Sequence, residues 1–178
     1  MRVVAGRYKG HRLVAPGRRS TRPTQDKVRE ALFSILGPVD GMRVLDLYAG
    51  SGALGIEALS RGAARCVFVE SDRAACAVIS RNLEKLRLTS AIVLCQDVLA
   101  ALRDERGRGH RYDLVLADAP YEAWRGHEQR LGELLPDVLE PAGVVVIETA
   151  ARVEPSLPLA LVTSRRYGSA RLTVFRQQ

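Results

Sequence analysis

Between residues 43 and 149, short apolar runs alternate with longer stretches in which apolar positions recur every three or four residues. The short runs are RVLDLYA, RCVFVE, AIVLCQ, YDLVLAD and GVVVIET. They are too continuously apolar for strands with one wet face, and read as strands of a parallel sheet covered on both sides. The stretches between them, ALGIEALSRG, DRAACAVISRNLEKLRL, VLAALRDE and residues 126–139, carry the helical period. Gly62 closes the first, Asp72 caps the second and Pro141 stops the last. This alternation predicts an α/β fold with a mostly parallel sheet.

The flanks read differently. LALVTSRRYGSARLTVFRQ breaks around Tyr167-Gly168-Ser169 into two strands, an antiparallel finish to the sheet. At the other end, RVVAG and HRLVA around RYKG predict a β-hairpin, and APGRRSTRP a loop. Thr24 then stands as the N-cap of a helix over 25–36, whose Val28, Leu32, Ile35 and Leu36 share one face. The expected organisation is a hairpin and loop over residues 1–23 and an α/β domain over 24–178.

Charge changes this picture most. The net charge is +7, and residues 1–29 hold nine Lys and Arg against the single acid Asp26. The remaining residues carry 18 basic and 19 acidic side chains, so the N-terminal arm holds the whole excess. Charge clustered on a patterned segment is the footprint of a polyanion-binding surface rather than of a solvated tail. Of the 178 residues 47% are hydrophobic, and no apolar run reaches the roughly 18 residues needed to span a bilayer. The N-terminus has no apolar core like that of a secretory signal, so a cytoplasmic location is expected. Cys66, Cys76 and Cys95 match neither a disulfide framework nor a zinc pattern, and read as small core residues; no metal is expected.

Acids close four successive strands: Asp46, Glu70, Asp97 and Asp118. Each alone reads as a helix cap, but four together at the ligand-binding end of an α/β sheet point to a shared ligand. The turn after the first strand, Asp46-Leu47-Tyr48-Ala49-Gly50-Ser51-Gly52, continues to Gly55 and satisfies G-x-G-x-x-G. A dinucleotide is the first thought, yet a carboxylate at Asp46 suits a cation better than a diphosphate. Glu70, about 20 residues after the turn, can accept from ribose hydroxyls, and Asp97 from an amino group on a purine. A ribose, an amino-purine and a positive charge together describe S-adenosylmethionine.

DLYAGSGALGIEALSRGA, the acid at Glu70 and DLVLADAPY resemble a class I S-adenosylmethionine-dependent methyltransferase, with its Rossmann-like sheet. GRYKGHRL and RPTQDKVREALFSIL are similar to the bacterial RsmD family of 16S rRNA guanine-N2 methyltransferases. The resemblance spans nearly the whole chain. It implies methyl transfer to the exocyclic N2 amine of a guanine in small-subunit rRNA. Asp118 and the carbonyl of residue 119 would accept from the amine, Pro120 would stiffen the tetrapeptide, and Tyr121 would stack on a flipped-out base. The pattern usual in amino-group methyltransferases is Asp/Asn-Pro-Pro-aromatic, so Ala119 is a departure. The cofactor would lie on Asp46, Tyr48, Ala49, Gly50, Ser51, Gly52, Glu70, Ser71, Asp97 and Val98. Arg7, Lys9, Arg12, Arg18, Arg19 and Arg22 would meet RNA phosphates, with the chain acting as a monomer on the small subunit or an assembly intermediate.

Another amino-group methyltransferase, on DNA adenine, other RNA or protein glutamine, remains an alternative. A NAD-dependent oxidoreductase fits less well, since none of His11, His110 and His127 is an evident partner for hydride transfer. A binding module without catalysis would leave the four acids unexplained. Trp124 has two readings: a residue lining the substrate entrance, or an anchor for its helix.

Overall fold

The computed structural model describes residues 1–15 and 23–178, the side chains of residues 23–25, 121 and 123 aside. The strands are β1 (Arg43–Leu47), β2 (Arg65–Glu70), β3 (Ala91–Cys95), β4 (Tyr112–Asp118), β5 (Leu139–Ala150), β6 (Ala160–Tyr167) and β7 (Ala170–Arg176). They form one sheet in the order β3-β2-β1-β4-β5-β7-β6. The first five are parallel, and β7 runs antiparallel between β5 and β6. The α/β sheet with an antiparallel C-terminal pair is therefore as expected. The chain builds outward from β1 to β3 and then returns to place β4 on the other side of β1. That reversal opens a crevice at the carboxyl ends of β1 and β4.

Five helices cover the sheet: α1 (Pro23–Leu36), α2 (Ala53–Ser60), α3 (Arg73–Lys85), α4 (Val98–Gly107) and α5 (Tyr121–Val138). Strand side chains alternate between two apolar layers. Val44, Phe68, Leu114, Leu116 and Val146 pack with Val28 and Leu32 of α1, Ile56 of α2 and Ile79 of α3. Leu45, Val67, Val115 and Ile147 pack with Leu102 of α4 and Leu131 and Leu135 of α5. Burial of both faces is why the strands read as unbroken apolar runs.

Several local expectations are corrected. Helix α1 starts at Pro23, so Thr24 lies inside its first turn instead of capping it; proline is well suited to a first helical position. Helix α5 covers 121–138, not 126–139, because Pro120, held extended at φ −53° and ψ 143°, delivers the chain directly into it. It runs through Pro136, and Pro141 lies inside β5. Cys66 and Cys76 are buried, but Cys95 is exposed at the end of β3. Trp124 is 1% exposed within the second apolar layer, so it anchors α5 and does not line an entrance.

The N-terminal hairpin forms, but with a single antiparallel bridge, Arg2 to Arg12, in place of two strands. The amides that would extend the ladder are engaged elsewhere. Val4 N–H and Ala5 N–H donate to the two carboxylate oxygens of Glu57, at 2.7 and 2.9 Å. Glu57, on α2, is fully buried; Arg61 Nε donates to it at 2.8 Å, and Arg29 Nε of α1 lies 3.6 Å away. Arg29 also donates to the Arg2 carbonyl and to Asp26, and the Arg61 guanidinium lies over the Phe33 ring. The hairpin tip meets the end of α2, where Arg7 N–H donates to the Ser60 carbonyl at 2.7 Å. Gly6 permits this approach: a Cβ there would fall 1.8 Å from that carbonyl oxygen. Val3 and Leu13 complete the docking by entering the first apolar layer.

Removing one member of a buried ionic cluster strands the others, typically at a cost of about 3–5 kcal/mol. Glu57→Ala is expected to lose about that much stability in denaturant titration. Its Val4 and Ala5 amides should exchange with solvent much faster than those of the wild type.

Candidate functional site

The crevice at the carboxyl ends of β1 and β4 gathers most of the predicted residues. Asp46 is 1% exposed, and its Oδ2 accepts the Gly55 N–H at 2.9 Å. Its contact in the structure is therefore with the turn it introduces, which it folds back against α2. Burial, reinforced by the charges of Asp118 and Glu70, holds its carboxyl well above the usual carboxylate range despite the Gly55 hydrogen bond. Gly55 has no room for a side chain, since a Cβ would sit 2.4 Å from the Phe68 ring. The third glycine of the motif thus serves the packing of α2 on β2.

Between Asp46 and α2 the backbone is tightly shaped. Tyr48 has φ 57°, a left-handed conformation unusual for an aromatic residue and costly unless its surroundings enforce it. Its hydroxyl shares a 2.8 Å hydrogen bond with His127 Nδ1 of α5, tying the turn after β1 to the helix after β4. Burial, then the charge of Asp97, pushes that hydroxyl above its ordinary pKa. Ala49 N–H donates to the Val69 carbonyl, and Gly52 caps α2 in a left-handed conformation. Buried Ser51 holds its carbonyl to Asn82 of α3.

Glu70 closes the far side of the turn. One oxygen accepts the Gly50 N–H at 2.8 Å and the other the Asp72 N–H at 2.9 Å. Each oxygen keeps a further lone pair for an incoming hydroxyl. Ser71 is exposed beside it. Asp97, also exposed, caps α4 through the Ala100 N–H, and the adjoining Val98 is buried as the first residue of that helix. Both acids therefore have a structural duty as well as spare acceptor capacity.

Asp118 ends β4, exposed, with buried Ala119 and exposed Pro120 after it. Tyr121 opens α5; its side chain lies outside the described residues. Asp118 is in register with Glu148 of β5, about 4.8 Å away along the sheet. Sequence reasoning missed Glu148, although GVVVIET carries the same signal as the other strands, an acid at the carboxyl end. Burial, then the Asp118 charge, raises its pKa to about 8, with Arg29 pulling the other way. Strand alternation puts Asp46, Asp118 and Glu148 on the face that α1 and the hairpin cover. Arg7, Lys9 and Arg12 are exposed on that hairpin, whereas Arg18, Arg19 and Arg22 lie outside the described residues. Among the described residues no group of His, Cys, Asp and Glu is placed to hold a metal, and no helix is long and apolar enough to cross a membrane.

The model of the family described as "Conserved hypothetical protein 95" matches residues 1–176. The ribosomal RNA small subunit methyltransferase D of Escherichia coli is 36% identical over 159 residues, which cover 89% of this chain and 78% of that protein. The chain belongs to this family, the RsmD family. The Bacillus subtilis protein described as "Putative rRNA methyltransferase YlbH" is 40% identical over the full length of both chains. The solved structure of Escherichia coli yhhF is 33% identical, covers 100% of this chain and 98% of its own, and superposes with a TM-score of 0.87.

Glu148 gives the site a pH signature. Its carboxyl binds a proton more tightly in the folded chain than its ordinary pKa of 4.5 would allow. As pH rises from about 4.5 to 8 the unfolded chain has released that proton while the folded chain retains it, so stability falls. Wild-type Tm should decline across this window. In Glu148→Gln the decline should be shallower but not absent, because buried Asp46 acts with the same sign.

Proposed function

We propose that the chain transfers the methyl group of S-adenosylmethionine to the exocyclic N2 amine of a guanine in small-subunit rRNA. The observation that carries this reading is the position of Asp118. It closes β4 at the reversal in strand order, on the sheet face where the basic hairpin docks. Membership of a family whose relatives include ribosomal RNA small subunit methyltransferases supports the substrate class.

The cofactor supplies an electrophilic methyl on a sulfonium. Glu70 would offer its spare lone pairs to the ribose hydroxyls, Asp97 to the adenine amino group, and the turn from Tyr48 to Gly52 would hold the rest of the cofactor. Ser71 and Val98 flank it. Asp46 fixes the turn by accepting the Gly55 N–H.

A guanine amine is a poor nucleophile because its lone pair is delocalised into the ring. Asp118 and the Ala119 carbonyl accept its two N–H bonds, which aims the lone pair at the methyl and stabilises positive charge forming on nitrogen. Glu148, its pKa raised to about 8, keeps its proton near neutral pH and so adds no second negative charge beside Asp118. Pro120 holds Ala119 extended, offsetting the missing first proline of the tetrapeptide, and Tyr121 stacks on the extruded base. The segment 1–23 is the RNA-binding extension of a methyltransferase domain over 24–178. Arg7, Lys9, Arg12, Arg18, Arg19 and Arg22 contact phosphates, so the target is chosen by the shape of the RNA or subunit around it. The enzyme acts in the cytoplasm as a monomer.

Labelled S-adenosylmethionine offered with unmethylated small subunits, naked 16S rRNA and DNA should yield N2-methylguanosine from one rRNA position. Label in adenine, or in no nucleic acid, would discard the assignment. Asp118→Ala should bind cofactor normally and transfer nothing measurable. Replacing Arg7, Lys9 and Arg12 together with alanine should weaken rRNA binding and make the slope of log K against log salt shallower by roughly 0.7–0.9 for every phosphate no longer neutralised.

A further inference from the structure

Asn82, on α3, is fully buried. Its side chain makes three hydrogen bonds. Oδ1 accepts the Val14 N–H at 2.8 Å, and Nδ2 donates to the Val14 carbonyl and to the Ser51 carbonyl, each at 3.0 Å. Towards Val14 the amide behaves like the backbone of a neighbouring strand, offering one donor and one acceptor to a single residue. Towards Ser51 it fixes the middle of the glycine turn.

These two partners belong to two different binding surfaces. Val14 follows Arg12 in the hairpin, and Lys85, one turn further along α3, donates to the Arg12 carbonyl at 2.7 Å. Ser51 lies between Gly50, held by Glu70, and Gly52, which caps α2. Ile79 of α3 also supports the turn, lying where a Cβ on Gly52 would touch it. One buried amide thus joins the hairpin to the cofactor turn across 31 and 68 residues of sequence.

We propose that Asn82 is a positioning residue that couples rRNA binding to cofactor binding, so that either ligand tightens the other. This rests on the reading of the hairpin as an RNA surface and of the glycine turn as the cofactor's. RNA held on the hairpin fixes Val14, Val14 fixes the amide, and the amide fixes the Ser51 carbonyl. The second ligand then meets a turn already ordered. Coupling between binding sites is reciprocal, and ordinary couplings fall at about 5–150-fold in affinity.

The test is equilibrium binding of S-adenosylhomocysteine, which cannot react, with and without saturating unmethylated small subunits. In the wild type the subunits should tighten binding at least about fivefold. Asn82→Ala should abolish that enhancement. It also strips the Ser51 carbonyl of its partner, so Val14→Pro is the sharper variant: it removes the hairpin's N–H donor to Asn82 Oδ1 and leaves the Asn82–Ser51 bond. Val14→Pro should lower Tm by the modest cost of one orphaned buried acceptor, keep the RNA-free cofactor affinity, bind subunits, and show an enhancement well below that of the wild type. An undiminished enhancement in Val14→Pro, or none in the wild type when both ligands bind, overturns the coupling and leaves the methyltransferase reading intact. Failure of the wild type to bind subunits at all overturns both.

Discussion

A carboxylate with no exposure to solvent governs how the N-terminal half of this molecule is assembled. Glu57 sits on the inner face of α2, where its charge is tolerable only because two backbone amides and two arginines surround it. Each partner comes from a different place: the amides from the hairpin, Arg61 from the end of α2 and Arg29 from α1. The hairpin is therefore held by a polar centre, with Val3 and Leu13 as its apolar anchors. Such a centre discriminates geometry more sharply than apolar contact does, because a hairpin shifted by one residue would leave the carboxylate without its amides. Arg29 extends the same network towards Glu148, whose pKa it pulls down against burial. The arm's anchor and the carboxyl end of the sheet thus belong to one electrostatic system.

Much of this was legible in the sequence. Strand and helix order, the antiparallel finish and the acids at Asp46, Glu70, Asp97 and Asp118 follow from periodicity and position, because burial on both faces writes itself directly into apolar runs. What could not be read depended on partners distant in the chain. Glu57 looks like one polar residue on an apolar helix face, and Asn82 like a surface amide, until the hairpin is placed over them. Glu148 carried a signal, an acid at a strand end, but its significance comes from sheet order, which pairs it with Asp118. Helix limits were missed for a local reason: prolines at 23 and 120 start helices, and Pro136 is accommodated within one.

The acids at the strand ends also show that structural and functional readings need not compete. Asp97 caps α4, and Glu70 fastens Gly50 and Asp72, yet each retains acceptor capacity for a further donor. A carboxylate already held by backbone amides has lost its rotamer freedom, so it can meet a ligand without further ordering. Tyr48 is a harsher instance of the same economy. Its left-handed backbone is stabilised by the bond to His127, and it links the turn after β1 to the helix that begins at the Asp118 tetrapeptide.

The docked hairpin has a consequence for biosynthesis. Its backbone bonds to Glu57, Ser60 and Asn82 span 52 to 68 residues of sequence. A nascent chain emerges N-terminus first, so the most basic segment is synthesised long before the helices that receive it. Until α2 has left the ribosome the arm has nothing to dock on, and its bonds to Asn82 wait for α3, so it first faces the polyanionic ribosome surface undocked. Loop closure over such separations is slow compared with local helix formation, so α2 and α3 form first and the arm is gathered in afterwards.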